Sequence, residues 1–351
     1  MSSIARYQKT QPGSDGHHGA HDKLAVVIPV YNEIDNIDPL QAELDAALKP
    51  LGVAYQIVYV NDGSRDGSAE KLAELARQRP EIVFVDLRRN FGQTAAMAAG
   101  IDHADAEVIV MMDADLQNDP ADIGRLMELV DEGYDVVSGW RKDRKDKFLT
   151  RRLPSMIANG LISWVTGVHL HDYGCTLKAY RREVLDEVRL YGEMHRFVPV
   201  FASAAGASIT ELVVNHRARV YGKSKYGLWR TFKVVLDLIT VKFLLSYRTT
   251  PMYLFGGFGA GVIALSLLFL LVALLNKIVR GASLINTPLP TLSATFFILG
   301  VQSILMGMLA ELNVRTYHEA QSKPIYVVRQ VIQDGETYKP VGNPTSVTRD
   351  R

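Results

Sequence analysis

The chain has 351 residues, enough for more than one hydrophobic core, because single cores stop growing at roughly 250 to 300 residues. Its 39 Lys and Arg are balanced by 38 Asp and Glu, so no global positive field exists to attract nucleic acid, and any anion site must be local. One cysteine, Cys175, excludes an internal disulfide framework and reads as a small buried hydrophobe.

Residues 1–22 are rich in Gly, Ser, Gln and His and have no apolar run, the composition of a disordered tail and not of a signal peptide. His17, His18 and His21 either bind a stray metal or belong to a solvated tail, the reading favoured because no plausible ligand set is completed around them. Across 24–139, short β-rich apolar runs alternate with helical patterns. This predicts an α/β fold, with a mostly parallel sheet covered by helices on both faces. Strands are expected at 24–30, 55–61, 81–87, 107–112 and 134–138, flanked by Gly, Pro, Asn or Asp turn residues. Helical spacing marks 69–77 and 123–130.

Residues 141–152 then gather seven Lys or Arg against two Asp. Such a run is either a solvated face or, just beyond a strand end where α/β proteins bind ligands, a phosphate contact through Arg141, Arg151 and Arg152. A helix at 155–166 and β-like pieces at 176–180 and 209–215 complete a head domain expected over 23–227.

Residues 228–247 set Trp229, Phe232, Val235, Leu236, Ile239 and Phe243 against Arg230, Lys233 and Lys242. The pattern fits a juxtamembrane helix (228–250) lying in a bilayer interface, or an ordinary amphipathic core helix. A run of 24 residues without a charge follows at 252–275, and a second apolar run, at 291–310, has Gln302 as its strongly polar interruption. At about 1.5 Å per residue each crosses a hydrocarbon layer of about 30 Å, and the short connection makes them a transmembrane hairpin over 251–312. Outside it lie Arg230, Lys233, Lys242, Arg248, Arg315, Lys323 and Arg329, and inside its loop Lys277 and Arg280. That bias predicts a multi-pass protein of the inner (cytoplasmic) membrane, with head and both termini in the cytoplasm. In the C-terminal segment 313–351, residues 324–332 are β-rich with no hairpin partner nearby, and are expected to pair with the main sheet or with another subunit.

The chemistry lies at three predicted strand ends. The fourth strand ends in Asp113-Ala114-Asp115-Leu116-Gln117. Two carboxylates two residues apart point the same way, so they can hold a hard divalent cation already bound to a diphosphate, with Gln117 as a third oxygen; the plainer alternative is turn decoration. The first strand ends in Pro29-Val30-Tyr31-Asn32-Glu33 and the second in Asn61-Asp62-Gly63-Ser64. Both are acidic and lack a Gly-rich phosphate cradle, which suits a base and ribose better than a phosphate. Neither a G-x-G-x-x-G after the first strand nor a Walker lysine motif is present, which counts against a dinucleotide dehydrogenase and an ATPase.

These three motifs, in that order at those strand ends, resemble the glycosyltransferase A fold of family 2, and within it the polyprenyl-phosphate glycosyltransferases. The resemblance covers roughly 24–335 and is reinforced by His171-Asp172-Tyr173-Gly174-Cys175, by Gly192 to Phe197, and by Arg219 with Gly222-Lys223-Ser224-Lys225-Tyr226. It implies that Pro29, Tyr31, Glu33 and Asp62 hold the nucleoside, with uracil as the base, and that Asp113 sits near ribose and metal. It also implies that Asp115 and Gln117 ligate Mg2+ or Mn2+, and that Arg219, Ser224 and Lys225 face phosphates. Asp172, with Arg196, is placed near the chemistry. Asp172 either orients a basic residue, touches the sugar or closes a turn, and a satisfied core histidine is the rival reading of His195.

The implied reaction is an in-line, inverting displacement at the anomeric carbon of a nucleotide sugar by an oxygen of a polyprenyl phosphate, undecaprenyl phosphate in a bacterium. A phosphate monoester has a second pKa of about 6 and is already ionised near neutrality, so no dedicated general base is needed. A homo-oligomer is the expected assembly. A processive polysaccharide synthase is disfavoured because no Gln-x-x-Arg-Trp motif is present, and a silent nucleotide-binding scaffold because the acidic triplet is intact.

Overall fold

The computed structural model describes residues 23–142, 153–188, 194–217, 251–281, 283–285, 287–320 and 325–339. The expectations for the tail at 1–22, for Arg151 and Arg152, for Arg219, Ser224 and Lys225, and for the juxtamembrane helix lie outside these residues. The chain forms two compact units, one of 1–159, 170–224 and 326–342, the other of 160–169, 225–325 and 343–351.

The first unit is built on strands β1 (Lys23–Val30), β2 (Ala54–Asn61), β3 (Ile82–Leu87), β4 (Val108–Met111), β5 (Val136–Trp140), β6 (Lys178–Arg181), β7 (Ile209–Val213), β8 (Val328–Gln333) and β9 (Glu336–Tyr338). They form one sheet in the order β7-β5-β6-β4-β1-β2-β3-β8-β9. Its centre is parallel: β1 pairs with β2 and β4, and β2 with β3. These strands are near-continuous Val and Ile because both faces are covered; Leu24 to Ile28 and Ile57 to Val60 are fully buried. Outside the centre the sheet is mixed, since β6 runs antiparallel to both β4 and β5. The helices are α1 (Ile34–Leu48), α2 (Ser68–Gln78), α3 (Gln93–His103), α4 (Asp122–Asp131), α5 (Leu153–Thr166), α6 (Arg182–Asp186) and α7 (Val198–Ala204); residues 160–166 of α5 belong to the second unit. α1 buries Ile37, Leu40, Leu44 and Leu48, spaced three and four residues apart.

Register positions the site. Val30 pairs with Asn61, Asn61 with Asp86, and Val27 with Met111. The carboxyl ends of the four parallel strands therefore finish side by side, which is where open α/β sheets bind ligands.

The C-terminal strand corrects one expectation. β8 does join the main sheet, antiparallel to β3, but it also has a hairpin partner, β9. Asp334 and Gly335, at φ 54° and 77°, make the two-residue turn between them, the conformation that an Asp-Gly pair favours. With both edges paired, β8 is no evidence for a subunit contact.

The second unit contains α8 (Pro251–Arg280) and α9 (Leu289–Ala320), which cover both expected spans. Each is long and apolar enough to cross a membrane, and only 17% of each apolar stretch is buried, unlike the core helix of a water-soluble protein. Leu267, Leu268, Leu271 and Ile298 are at least half exposed. Between the helices Phe269 meets Phe296 edge-on, their ring centroids 5.5 Å apart, and other contacts are small and polar. A Cβ added to Gly259 would lie 2.7 Å from the Gly300 carbonyl oxygen, so only glycine permits this approach. Ser266 Oγ donates to the Ser293 carbonyl at 2.8 Å, and Ser293 Oγ returns a bond to the Ser266 carbonyl at 2.9 Å.

Candidate active site

The β1–α1 and β2–α2 loops are laced together. Asn32 N–H donates to Ser64 Oγ at 2.9 Å, and Arg65 N–H donates to Asn32 Oδ1 at 2.8 Å. Glu33 N–H bonds Ser68 Oγ and Ile34 N–H bonds Asp66 Oδ2. Asn32 holds φ 54° to make these bonds, a conformation Asn tolerates better than most residues. Pro29 lies opposite Val60 within the sheet, Tyr31 is 36% exposed, and Glu33 accepts a bond from Asn36 Nδ2.

Asp62, at the tip of β2, is buried and accepts from Phe91 N–H at 2.7 Å and Gly92 N–H at 3.0 Å. Burial raises its pKa despite these two donors. The approach depends on Gly63, at φ 71°, where a Cβ would sit 2.5 Å from Asn90 N. Behind it Asn61 Nδ2 donates to the buried Asp86, which Arg329 of β8 approaches at 3.4 Å.

Beyond β4, Asp113 is gripped from two sides. Gln93 Nε2, at the start of α3, donates to Oδ1, and Thr176 Oγ1 donates to Oδ2, both at 2.7 Å. Thr176 is itself steered by Asn118 Nδ2 at 3.0 Å. Asp115 is 8% exposed and accepts from Gln117 N–H at 3.2 Å. Between them Leu116 has φ 60°, a conformation that costs a β-carbon-bearing residue on the order of 1–3 kcal/mol and is found chiefly at functional sites. The Gln117 carbonyl is fixed by Arg217 N–H at 2.9 Å.

Next to this acidic end lies a buried ion pair. Arg141 Nε and Nη2 donate to the two oxygens of Asp172 at 2.7 and 3.0 Å, with 14% and 3% of the two side chains exposed. Burial works against the Arg141 charge, but the Asp172 bonds and field outweigh it and keep the guanidinium protonated. Asp113 adds to that field, so the two parts of the site sense each other. Lys178 lies fully buried on β6, donating to the Tyr173 carbonyl at 3.0 Å, and burial pushes it down to about 8. Burial, with Arg196 and Lys178 nearby, pushes His195 down to about 3. It is a neutral imidazole whose Nδ1 shares a 2.7 Å bond with Thr94 Oγ1, while Arg196 Nε points at its Nε2 from 3.5 Å. Cys175 is buried, its thiol pushed up to about 11 by burial, and is inert.

The described site residues from all three strand ends thus lie along one sheet edge. The geometry of Asp172 is that of a residue orienting a basic partner. Sequence reasoning did not find Gln93, Thr94 or Thr176. Gln93 and Thr94 follow Asn90-Phe91-Gly92 just past the third strand, and an Asn-x-Gly turn at the same edge as the other motifs was the available signal.

An acidic strand-end site on a mixed α/β sheet, joined to two lipid-length helices, defines the class of protein. Residues 25–189 match the glycosyl transferase family 2 domain. The dodecaprenyl-phosphate galacturonate synthase of Rhizobium johnstonii is 42% identical over 89% of this chain and 94% of its own length. The undecaprenyl-phosphate 4-deoxy-4-formamido-L-arabinose transferase of Edwardsiella ictaluri is 39% identical over 88% and 94%. Among solved structures, a Mycobacterium tuberculosis glucosyl-3-phosphoglycerate synthase in complex with Mn2+, UDP and phosphoglyceric acid shares the fold, with a TM-score of 0.50 at 16% identity over 63% of this chain and 78% of that one. The chain belongs to glycosyl transferase family 2: it is a glycosyltransferase with a GT-A fold.

Proposed function

We propose that this enzyme transfers a sugar from a uridine diphosphate carrier to polyprenyl phosphate, undecaprenyl phosphate in a bacterium, at the cytoplasmic face of the inner membrane and with inversion. The observation that carries the reading is the doubly held Asp113 beside Asp115 at the β4 tip, with the Arg141–Asp172 pair next to it. Relatives at 39–42% identity are named for transfer to prenyl phosphates but differ in their sugar, galacturonate in one and a formamido-arabinose in the other. The acceptor is therefore the supported part.

Asp113, Asp115 and Gln117 would hold the divalent cation, Mg2+ or Mn2+. Their oxygens suit a hard ion, and among the described residues no group of three or more His, Cys, Asp or Glu converges. A partial protein shell fits an ion that takes its remaining ligands from a diphosphate and water. When bound, such an ion offsets the charge growing on the leaving diphosphate. The chain's own residues do the rest. Pro29, Tyr31, Glu33 and Asp62 face base and ribose, the Gln93 and Thr176 bonds keep Asp113 aimed, and Asp172 presents Arg141 to phosphate oxygens, with Arg196 beside His195. Arg151, Arg152, Arg219 and Lys225 add the positive charge that lets two anionic reactants meet, and the Ser224 hydroxyl adds a neutral donor for a phosphate oxygen. The hairpin keeps the head tethered to the bilayer that holds the acceptor's tail, and a homo-oligomer is the assembly proposed.

The test is mass spectrometry of the lipid fraction after the purified protein is incubated with undecaprenyl phosphate and a panel of UDP-sugars, with and without Mn2+. A prenyl-phosphate glycoside that needs both lipid and metal is expected. Release of nucleoside diphosphate that never depends on added lipid would overturn the reading.

A further inference from the structure

β8 is irregular where it passes the end of β3. Gln330 stands opposite Asp86 and Val328 opposite Leu87, so Arg329 is an extra residue with no counterpart on β3. A bulge of this kind re-aims a side chain, and bulges concentrate beside active sites. The side chain it carries makes two contacts at the donor end of the sheet. Arg329 Nη1 lies 3.4 Å from Asp86 Oδ2, and Nη2 donates to the Arg88 carbonyl at 3.0 Å.

Each contact leads into a loop of the site. Asp86 is buried; burial raises its pKa, the Asn61 bond and the Arg329 charge draw it back, and Glu70 of α2 adds to the rise. A carboxylate can only accept. The Asn61 amide therefore turns Nδ2 to Asp86 at 2.8 Å and leaves Oδ1 for Ser64 N–H at 3.1 Å. Ser64 Oγ in turn accepts from the N–H of Asn32, which stands between Tyr31 and Glu33. A protonated Asp86 would donate to Asn61 Oδ1 and compete with Ser64. On the other side, Arg88 opens the segment whose Phe91 and Gly92 N–H groups hold Asp62, and the Arg88 N–H is bonded to the Val327 carbonyl of the same C-terminal stretch.

We propose that Arg329 is a positioning residue for the nucleoside half of the donor site, fixing Asn61 through Asp86 and the 88–92 segment through the Arg88 carbonyl. It thereby sets the loops that carry Tyr31, Glu33 and Asp62. The inference rests on the reading of those loops as the nucleoside site. A planar fork serves both contacts, which the point charge of a lysine does not.

Calorimetric titration of UDP into the full chain in detergent micelles with Mn2+, beside transfer kinetics, tests it. Arg329→Gln should weaken UDP about ten-fold, the scale of one charge-assisted hydrogen bond. KM for the UDP-sugar should rise to match while kcat stays within about two-fold, the pattern of lost uniform binding. The affinity of the variant should also fail at a higher pH than that of the wild type as pH falls, because Asp86 without Arg329 takes up its proton sooner; Asp62, whose pKa burial also raises, titrates in both proteins and cancels in the comparison. Arg329→Lys should fall between the two and carries the test if Arg329→Gln does not fold. Wild-type UDP affinity in both variants overturns the inference, as does a fall in kcat at unchanged KM. Weakened binding with an unshifted pH profile overturns it too, by reducing Arg329 to a structural contact. If the wild type itself takes up no UDP, the donor reading fails and the inference with it; if the wild type binds and the variants bind equally, the inference alone fails.

Discussion

The α/β unit and the hairpin unit are inside-out with respect to each other. In the first, Leu24, Val26, Ile28 and Tyr59 are fully buried and charged residues face outward; in the second, Leu267, Leu268 and Leu271 face outward while Ser266 and Ser293 are buried. Identical physics in two solvents explains both. Water rewards apolar burial, whereas in lipid, the solvent proposed for the hairpin, the hydrophobic effect between helices vanishes, and close glycine packing and hydroxyl bonds would hold the pair. The buried polar groups also differ: the first unit hides charged side chains, among them the Arg141–Asp172 pair and Lys178, and the hairpin hides neutral hydroxyls.

Four perturbations break or sharpen this contrast. Asp115→Ala should lower transfer on the order of a thousandfold or more, the equivalent of losing about 4 kcal/mol of electrostatic stabilisation. Membrane partition and the melting of the α/β unit should be unchanged, as radiolabelled transfer, vesicle flotation and calorimetry would show. Asp172→Ala strands Arg141 as an unpaired buried charge and should cost about 3 kcal/mol of stability. The paired change Arg141→Met with Asp172→Leu should recover most of the melting temperature without restoring transfer, which separates the fold role from the chemical one.

Acid should act on the same unit. His195 titrates near 3 in the fold, against about 6.5 in an unfolded chain. Between those values the unfolded chain binds a proton that the folded one does not, so stability present above pH 6.5 is lost as pH falls toward 3. Going from pH 7 to 5 should remove about 2 kcal/mol through this residue, and thermal melts of His195→Gln should show a correspondingly flatter pH dependence. The smallest effect belongs to the hairpin. Ser266→Ala should weaken it by about 0.6 kcal/mol, the mean worth of a polar contact between membrane helices, measured by denaturant unfolding in detergent micelles, with the melting of the α/β unit unmoved.

Much of this was legible in sequence because it is periodic or local. The Val and Ile runs of β1 to β4 announce strands covered on both faces, Asp113 and Asp115 stand two apart after one of them, and the length of the two apolar runs marks the hairpin. What was not legible is held by partners far apart in the chain. The bonds from Gln93 and Thr176 to Asp113 span 20 and 63 positions, and the Arg141–Asp172 pair spans 31; no periodicity reports such pairs. Arg141 read as a phosphate contact because it opens a basic run, and only the fold places the Asp172 carboxylate on it. β9 was local and still overlooked, although the Asp334-Gly335 dipeptide carries the strongest short-range hairpin signal.

The central claim is that the β4 tip carries the cation of the departing diphosphate. Anomalous diffraction from the protein crystallised with UDP and Mn2+ tests it most directly. The account predicts a manganese peak within coordinating reach of Asp115, bridging to the diphosphate. A nucleotide bound with that tip bare of metal and turned away would contradict it.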